Sequence, residues 1–510
     1  MELRDNDLLS IQESRDLIEK AKAAQKLFSS FSQQQVDAVT AAVSKACSAH
    51  AEELGRLANE ETGFGKWQDK TLKNKFAAEN VYEAIKDMKT VGIIGEDRQK
   101  KIVNIAVPVG VIAALVPSTN PTSTVIYKTL ICVKGGNAVI FSPHPTAIRS
   151  IKEAVRIVRE AAEAAGAPAG LISCAEMPTM EGTNELIKNK NTNLILATGG
   201  PAMVHAAYSS GTPALGVGPG NAPAFIERSA DIKMAVRRII ASKTFDNSTI
   251  CASEQSVVTE SCIKDKVMDE FRAQGGYFLT QEESEKVGRI LMNAKGNMNA
   301  KIVGKSAEYV ARFAGITIPD GTKVLLSEQT QVGWSYPFSR EKLTTVLGFY
   351  VEKNWECACE RCIELLENEG AGHTMSLHST DEQVIREFGL KKPVSRVLVN
   401  TSSSLGGVGG LTGLFPALTL GCGAVGGSAT SDNVSPLNLI NIRRIAYGFL
   451  EISDLREAAG HTAETVCEAG AAGPAPSPVQ RRQEPGQTGV SDDAIDKLVE
   501  AVLERIEKKL

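Results

Sequence analysis

A cysteine within a polar loop is the residue whose setting most suggests covalent chemistry. Cys251 follows the turn-forming run from Asp246 to Ile250, and a helical pattern precedes that run. A thiol attacks as its thiolate, which needs a nearby positive charge, a helix N-terminus or backbone donors. A lone cysteine is more often a small buried apolar residue, so the loop by itself leaves both interpretations open.

Asn120 is a second candidate, because it follows a predicted buried strand and precedes a helix that begins at Pro121. Open α/β folds bind their ligands at this edge, beyond the carboxyl ends of the strands. The Asn120 amide could therefore donate a hydrogen bond to a developing oxyanion. The alternative is an asparagine that only makes the turn before the proline.

A second turn of this kind, Thr198-Gly199-Gly200-Pro201, also joins a predicted strand to a helix. Its backbone N–H groups could hold an anion such as a pyrophosphate, although a glycine pair alone is a weak signal. The chain has one G-x-G-x-x-G sequence, at 421–426, and no helical pattern follows it. That fingerprint requires a strand, a turn and a helix, so we interpret 421–426 as a structural loop.

Other reactive side chains give weaker signals. Cys357, Cys359 and Cys362 have metal-ligand spacing, but they lie in a helical pattern without a clear fourth ligand nearby, which argues against a metal site. His373, after a glycine-containing turn, could be a base or a residue at a helix end. Its spacing favours neither.

The elements that would position these residues alternate in type. Short apolar runs at 111–116, 138–141, 194–197 and 224–226 alternate with helical segments such as 147–165, which predicts a parallel sheet covered by helices. Residues 8–88 are rich in helical patterns, with Ile18, Leu27 and Phe28 in the expected buried stripe. From about Arg228 a second α/β region extends to the glycine-rich segment at 406–427.

The C-terminal part changes composition abruptly. Residues 468–490 contain four prolines and four glycines but no Leu, Ile or Phe, so they predict a flexible linker. Residues 491–510 carry apolar positions at three- and four-residue steps with matching capping signals, which predicts an amphipathic helix. Such a helix could dock on its own domain, but the long tether favours a separate partner.

Composition excludes several function classes. Fifty-six Lys and Arg against 60 Asp and Glu give a formal charge of −4 over 510 residues, which argues against binding to nucleic acid or to an anionic membrane through bulk charge. No apolar run is long enough to span a membrane, and the N-terminus lacks the apolar region of a secretory signal. The ten cysteines lack small-domain spacing and predict reduced, cytosolic thiols.

Taken in order, these motifs resemble the aldehyde dehydrogenase superfamily over about residues 5–450. The resemblance rests on the turn at Asn120, the segment 134–145, the turn at Thr198 and the Cys251 loop. The short sequences around Cys251 (249–255) and His373 (372–374) are most similar to the CoA-acylating branch, in particular to the propionaldehyde and acetaldehyde dehydrogenases of bacterial microcompartments.

The resemblance implies a role for each matching residue. Cys251 would be the nucleophile, and the Asn120 amide with the Cys251 backbone N–H would form the oxyanion hole. Members bind NAD without the usual glycine fingerprint, and the choice between NAD and NADP stays open because Ser142 stands where many members have a lysine. The implied cofactor-binding residues are Thr119, Ser142, His144, Thr198, Gly199, Gly200 and Glu341.

The most informative departure from the family pattern is Ala214, which stands where hydrolytic members have the glutamate base for water. A thiol with a pKa near 8.5 already has some thiolate at neutral pH, whereas water needs a base or a metal. We therefore expect the acyl-enzyme to be released by CoA, with propionaldehyde as the first-choice substrate among short-chain aldehydes. The alternatives are a hydrolytic aldehyde dehydrogenase and a non-catalytic scaffold.

The resemblance also implies an organisation and a location. We expect an α/β protein with a Rossmann-type cofactor domain at 1–227, a catalytic domain at 228–434 and an oligomerisation segment at 435–452. Part of the oligomerisation segment would come from residues near 98–110. The 437–450 segment would build a homodimer or homotetramer. The 491–510 helix would be an encapsulation peptide that binds shell or cargo proteins and places the enzyme in a microcompartment lumen within the cytoplasm.

Overall fold

The structure, a computed structural model, describes residues 5–458. The predicted linker at 468–490 and the predicted helix at 491–510 lie outside the described residues. The described residues divide into two units, the first comprising 5–94 and 105–443 and the second 95–104 and 444–458. All the candidate site residues belong to the first unit.

Fifteen strands occur in the described part of the chain, in three sheets. They are β1 Gly92–Asp97, β2 Ile102–Pro108, β3 Val111–Leu115, β4 Ala138–Ser142, β5 Ile172–Cys174, β6 Leu194–Thr198, β7 Ala214–Val217, β8 Ala222–Ile226, β9 Glu254–Glu260, β10 Gly276–Phe278, β11 Val324–Glu328, β12 Val346–Glu352, β13 Gly372–His378, β14 Val394–Val399 and β15 Ile440–Ala446. The smallest sheet has three strands in the order β1-β2-β15.

The α-helices of residues 5–458 flank these sheets in sequence. They are α1 Asn6–Phe28, α2 Gln33–Ala49, α3 Ala51–Thr62, α4 Trp67–Lys75, α5 Val81–Ile85, α6 Pro121–Lys134, α7 Ile148–Ala164, α8 Met180–Lys188, α9 Pro201–Tyr208, α10 Ile232–Thr244, α11 Lys264–Ala273, α12 Gln281–Leu291, α13 Ala307–Ala314, α14 Trp355–Asn368, α15 Glu382–Lys391, α16 Ser403–Gly407 and α17 Ile452–Ala458. None of them is long and apolar enough to cross a membrane.

The five-stranded sheet has the order β5-β4-β3-β6-β7, with every pair parallel. Its strands are buried apolar runs, as the sequence predicts for a sheet covered on both faces. The strand order reverses between β3 and β6, so a crevice opens beyond the carboxyl ends of these two strands. The turns at Asn120 and Thr198 follow β3 and β6, and both lie at this switch point.

The seven-stranded sheet is also parallel, in the order β10-β11-β12-β9-β8-β13-β14. It corrects one expectation from the sequence, which grouped 224–226 with the first α/β region. These residues belong to β8, which pairs with β9 and β13. Because apolar runs look alike in either sheet, the sequence could not show that the chain changes sheets before Ala222. The limit predicted at 227 therefore separates β8 from the sheet to which it belongs.

The N-terminal helices pack on the five-stranded sheet. Helix α1 buries Ile18, Ala21 and Phe28, but Leu27 is 63% exposed, so the predicted stripe was wrong at that position. The buried positions of α1 recur at steps of three and four residues, and Leu27 is about 100° away from Phe28 around the helix. It therefore points away from the buried face.

Two secondary motifs have structural settings. Residues 421–426 form a loop that ends in a short 3-10 turn, Ala424–Gly426, without an α-helix, as the sequence predicts. Cys357, Cys359 and Cys362 lie on α14, and Cys359 and Cys362 are buried. Within the described residues, no group of three or more His, Cys, Asp and Glu side chains is arranged to hold a metal ion.

Candidate active site

Cys251 lies in the connection between α10 and β9, three residues before β9 begins. Helix α10 ends at Thr244, and Asp246, Asn247 and Ser248 then adopt left-handed backbone conformations with φ of 46°, 49° and 69°. Three consecutive non-glycine residues in this region carry backbone strain that the surrounding contacts must offset. The turn delivers a partly exposed thiol to the amino edge of the seven-stranded sheet.

His373, the second residue of β13, is the nearest titratable partner of this thiol. Its Nε2 lies 3.1 Å from Cys251 Sγ, and its Nδ1 lies 3.0 Å from Thr374 Oγ1. Burial, with a smaller contribution from Arg396, lowers the pKa of His373 to about 3. The imidazole is therefore neutral at physiological pH and can accept a proton from the sulfur, provided that Nδ1 carries the ring hydrogen.

Glu341 places a carboxyl group in the same neighbourhood. Its Oε1 accepts a hydrogen bond from the Gly220 N–H at 2.9 Å, and its own backbone N–H donates to Glu369. Burial and the nearby Glu369 raise the pKa of Glu341 to about 8. At neutral pH this side chain is therefore mostly a neutral carboxylic acid.

Gly220 allows these groups to converge. A Cβ at this position would lie 2.0 Å from the carbonyl oxygen of Cys251 and 3.3 Å from His373 Cε1. Only a residue without a side chain can therefore bring its backbone N–H to Glu341 while touching Cys251.

The thiol itself is held in its protonated form. Burial and the nearby Glu341 and Cys422 raise the pKa of Cys251 to about 12, and Arg396 opposes them weakly. Attack as a thiolate then requires proton removal during the reaction, since little thiolate exists beforehand. Within residues 5–458, the side chain that contacts the sulfur and can take this proton is His373.

Asn120 approaches the Cys251 loop from the other side. It occupies the N-cap position of α6, without a side-chain capping hydrogen bond, at the carboxyl edge of the five-stranded sheet, where the sequence predicts it. Its Nδ2 donates to the carbonyl oxygen of Thr249 at 3.0 Å and to Thr119 Oγ1 at 3.3 Å, and its Oδ1 accepts a hydrogen bond from Lys73. One N–H of the amide thus contacts the loop two positions before Cys251, and the other contacts the neighbouring Thr119.

The candidate cofactor residues surround the switch point of the five-stranded sheet. Thr119, Thr198 and Gly199 are partly exposed and Gly200 is exposed, and Pro201 begins α9. A Cβ on Gly200 would contact nothing, so this turn leaves open space. A crevice at a reversal of strand order beside a helix N-terminus fits a dinucleotide pyrophosphate.

Ser142 and His144 follow β4 on the same edge. The Ser142 hydroxyl is buried and lies 3.0 Å from Thr183 Oγ1, so its hydrogen-bonding capacity is already partly used. His144 is partly exposed, and its Nδ1 accepts a hydrogen bond from the Thr146 N–H at 3.2 Å. His144 is therefore the more accessible of the two for a cofactor.

Ala214 is the first residue of β7, at the amino end of that edge strand, and its methyl group is buried. It provides no base, as its type requires. The sequence argument from Ala214 nevertheless missed the carboxyl group that is near Cys251, which belongs to Glu341. The loop with Gly220, beyond the carboxyl end of β7, holds that group.

Sequence reasoning left His373 open and missed Lys73 and Gly220. His373 is 122 positions from Cys251, and no local pattern joins residues on two different strands. Lys73 belongs to a helix that reads as an ordinary charged surface helix. The structure places Lys70 and Lys73 on the buried face of α4, and the sequence does not show which face of this helix is buried.

Comparison with known proteins agrees with this geometry. Residues 9–328 match the aldehyde dehydrogenase family. The chain belongs to the aldehyde dehydrogenase family, and its parallel sheets have the fold of that family.

Several relatives are similar over most of this chain. The bifunctional aldehyde-alcohol dehydrogenase AdhE of Escherichia coli K12 is 46% identical over 442 residues, which cover 86% of this chain and 50% of AdhE. The chain spans about half the length of the first curated relatives that it matches. An acetylating aldehyde dehydrogenase from Geobacillus thermoglucosidasius is 53% identical, with a TM-score of 0.87 over 88% of this chain and 99% of that structure.

A more distant solved structure is the propionaldehyde dehydrogenase of the Clostridium phytofermentans fucose utilisation microcompartment. It is 30% identical, with a TM-score of 0.77 over 85% of this chain and 97% of that structure. Variants of that enzyme with a cysteine or a histidine replaced by alanine have also been solved.

Proposed function

We propose that this protein is a CoA-acylating aldehyde dehydrogenase that converts a short-chain aldehyde, NAD+ and CoA to an acyl-CoA and NADH. The observation that carries the proposal is the contact between Cys251 Sγ and His373 Nε2, at 3.1 Å, beside the Asn120 amide. The similarity to an acetylating aldehyde dehydrogenase over almost its whole length supports the choice of reaction.

In the first half of the reaction, His373 removes the Cys251 proton as the sulfur adds to the aldehyde carbon. The resulting oxyanion accepts hydrogen bonds from Asn120 Nδ2 and the Cys251 backbone N–H. NAD+ supplies the acceptor for the hydride that leaves this carbon. The acyl group then remains on Cys251 as a thioester. Thr119, Ser142, His144, Thr198, Gly199, Gly200 and Glu341 are the proposed residues that hold the cofactor.

In the second half, the acyl group moves from one sulfur to another. Once the first proton has passed from His373 to solvent, the neutral imidazole accepts the proton of the CoA thiol as that sulfur attacks the thioester, and returns it to the Cys251 sulfur as that sulfur leaves. Exchange between two thioesters needs no stronger base, because a thiol is much more acidic than water. Ala214 has no side-chain base that could activate water.

Hydrolysis is a second candidate because Glu341 lies beside Cys251. Its pKa, raised to about 8 by burial and Glu369, leaves a growing fraction of carboxylate above neutral pH. Such a carboxylate could activate water and release a free acid. Any hydrolysis should therefore increase as the pH rises through 8, because the base form of Glu341 increases over that range.

The finer parts of the proposal concern substrate and location. Propionaldehyde is the proposed substrate, and a microcompartment lumen within the cytoplasm is the proposed location; the Clostridium phytofermentans relative is a propionaldehyde dehydrogenase from a microcompartment. The 491–510 segment would bind shell or cargo proteins there. The 437–450 segment would build a homodimer or homotetramer, since β15 exposes the large apolar side chains Ile442 and Ile445. The proposed first domain ends before β8, the second extends from β8 to 434, and the oligomerisation segment is 435–452.

The direct experiment measures NADH formation from propionaldehyde with and without CoA. We expect sustained turnover only with CoA, and a Cys251→Ala variant should lose about 10³-fold or more of the rate. Equal turnover without CoA would favour the hydrolytic enzyme. Near-normal CoA-dependent turnover by Cys251→Ala would contradict the assignment of the nucleophile.

A further inference from the structure

A buried ammonium group contacts the side of Asn120 that faces away from the Cys251 loop. Lys73 is on α4 and is 2% exposed. Its Nζ donates to Asn120 Oδ1, to Asp246 Oδ2 and, at 3.1 Å, to Thr249 Oγ1. These three acceptors use all three N–H groups of the ammonium.

This contact determines the orientation of the amide. The two ends of an asparagine amide have nearly the same shape but opposite hydrogen-bonding character. An ammonium group can only donate, so the oxygen end must face Lys73, and the NH₂ end must face the Thr249 carbonyl. If the amide were rotated by 180°, its NH₂ group would face the Lys73 ammonium, donor against donor, and its oxygen would face the Thr249 carbonyl oxygen, acceptor against acceptor. Unsatisfied buried groups cost about 1–3 kcal/mol each.

We infer that Lys73 is a positioning residue that fixes the Asn120 amide with its N–H groups toward the Cys251 loop. The inference rests on the proposed function, in which Asn120 donates to the oxyanion. It assigns to Lys73 an effect exerted through Asn120, without contact with the substrate. A positive charge at the amide oxygen also polarises the N–H groups and makes them stronger donors to a developing anion.

Asp246 holds Lys73 in place. Its carboxylate accepts hydrogen bonds from Lys70 Nζ at 3.0 Å, from the Lys66 N–H at 2.7 Å and from Thr249 Oγ1 at 2.6 Å, as well as from Lys73. The Asp246 backbone N–H donates to Asp69 at 2.8 Å. These contacts offset the left-handed conformation that Asp246 adopts at φ 46°.

The approach of α4 to this turn needs a small residue at Gly65. A Cβ there would lie 1.7 Å from Asp246 Oδ1. Asp246 lies in the strained turn that presents Cys251. The Lys73 ammonium connects this turn to Asn120. One ion cluster thus fixes both the nucleophile loop and the oxyanion donor.

The test is a double-mutant cycle on the first turnover of NADH formation, which reports acylation. Asn120→Ala should slow this step by about 10²–10³-fold. Lys73→Met should slow it by about 10–100-fold, with the half-saturating aldehyde concentration changed by less than about threefold. In the Asn120→Ala background, Lys73→Met should have an effect below about threefold, because the group it positions is absent.

Lys70→Met is the matched control. It removes the other ammonium from Asp246 but does not contact the Asn120 side chain, so its effect should multiply with that of Asn120→Ala. Thermal unfolding of each variant separates loss of folding from loss of rate. Lys73→Arg retains the charge and donors and should keep more activity than Lys73→Met; it carries the same cycle if Lys73→Met does not fold.

The outcomes distinguish the inference from the proposed function. A full Asn120→Ala effect together with a multiplicative Lys73 effect would overturn the positioning role alone. A Lys73→Met rate within about threefold of wild type would do the same. An Asn120→Ala rate within about threefold of wild type would instead overturn the oxyanion role on which the inference rests.

Discussion

Cys251 lies between two regions that treat charge in opposite ways. On the side of the seven-stranded sheet, burial keeps His373 and the Glu341 carboxyl group neutral at physiological pH. On the side of α4, Lys70, Lys73 and Asp246 are as deeply buried but form ion pairs. The seven-stranded side also holds the Arg396 guanidinium, which donates to the His373 carbonyl oxygen, whereas the cations of the α4 side are paired with the Asp246 carboxylate.

The difference corresponds to two tasks. A group that takes up a proton during the reaction needs a free acceptor atom, which the neutral imidazole of His373 presents at Nε2 beside Cys251 Sγ. A group that orients a donor acts best while it stays charged; burial lowers the pKa of Lys73 to about 8, and the Asp246 carboxylate opposes that shift. The seven-stranded side is therefore suited to proton transfer and the α4 side to positioning.

The proton-transfer side can be tested at Thr374. The Thr374 hydroxyl contacts His373 Nδ1 and accepts from Arg396 Nε at 3.1 Å, and its remaining lone pair can accept the Nδ1 hydrogen of the ring form whose Nε2 is free to take the thiol proton. Thr374→Val should lower the acylation rate by about tenfold, which corresponds to about 1.4 kcal/mol. Thr374→Ser keeps the hydroxyl and is the control. Equal rates for the two variants would show that Thr374 does not orient His373.

The pH dependence of stability gives a second test of the seven-stranded side. In the folded protein, burial and Glu369 raise the pKa of Glu341 from its ordinary range to about 8, so its stabilising contribution is complete at low pH and is lost as the pH rises toward 8. Glu341→Gln cannot ionise. The unfolding free energy of this variant relative to wild type should therefore increase by about 1 kcal/mol per pH unit between about pH 5 and 8.

Glu282→Gln provides the control for Glu341→Gln. Glu282 is exposed, and its hydrogen bond with Lys286 lowers its pKa, so wild type should gain stability with rising pH relative to this variant. The two substitutions should thus change the pH dependence in opposite directions. A Glu341→Gln difference that does not vary with pH would show an ionised carboxylate beside Cys251, and the contrast between the two regions would disappear.

The sequence predicted the elements better than it predicted how they meet. The short apolar runs identified β3, β4 and β6 because fully buried parallel strands are continuous in apolar residues. The same property hid the change of sheet at β8, since a run buried in either sheet has the same composition. The exposed Leu27 shows a related limit, because a helical stripe is defined only to within one residue until its packing partner is known.

The candidate site was predicted where a residue follows a strand directly. Asn120 and Thr198 were found in this way, because parallel strands bring their carboxyl ends to one edge. The contact between Cys251 and His373 joins β13 to the loop before β9, and the contact between Lys73 and Asn120 joins α4 to the start of α6. Such contacts depend on tertiary packing, which local spacing does not encode.

The most direct test of the central claim is the fate of the acyl group on Cys251. The full-length protein would be incubated with propionaldehyde and NAD+ in the absence of CoA, and the site of acylation identified by peptide mass spectrometry. We predict one propionyl group on the Cys251 peptide, stable until CoA is added and then recovered as propionyl-CoA. Release as free propionate at the same rate without CoA, or an acyl group on another residue, would contradict the account.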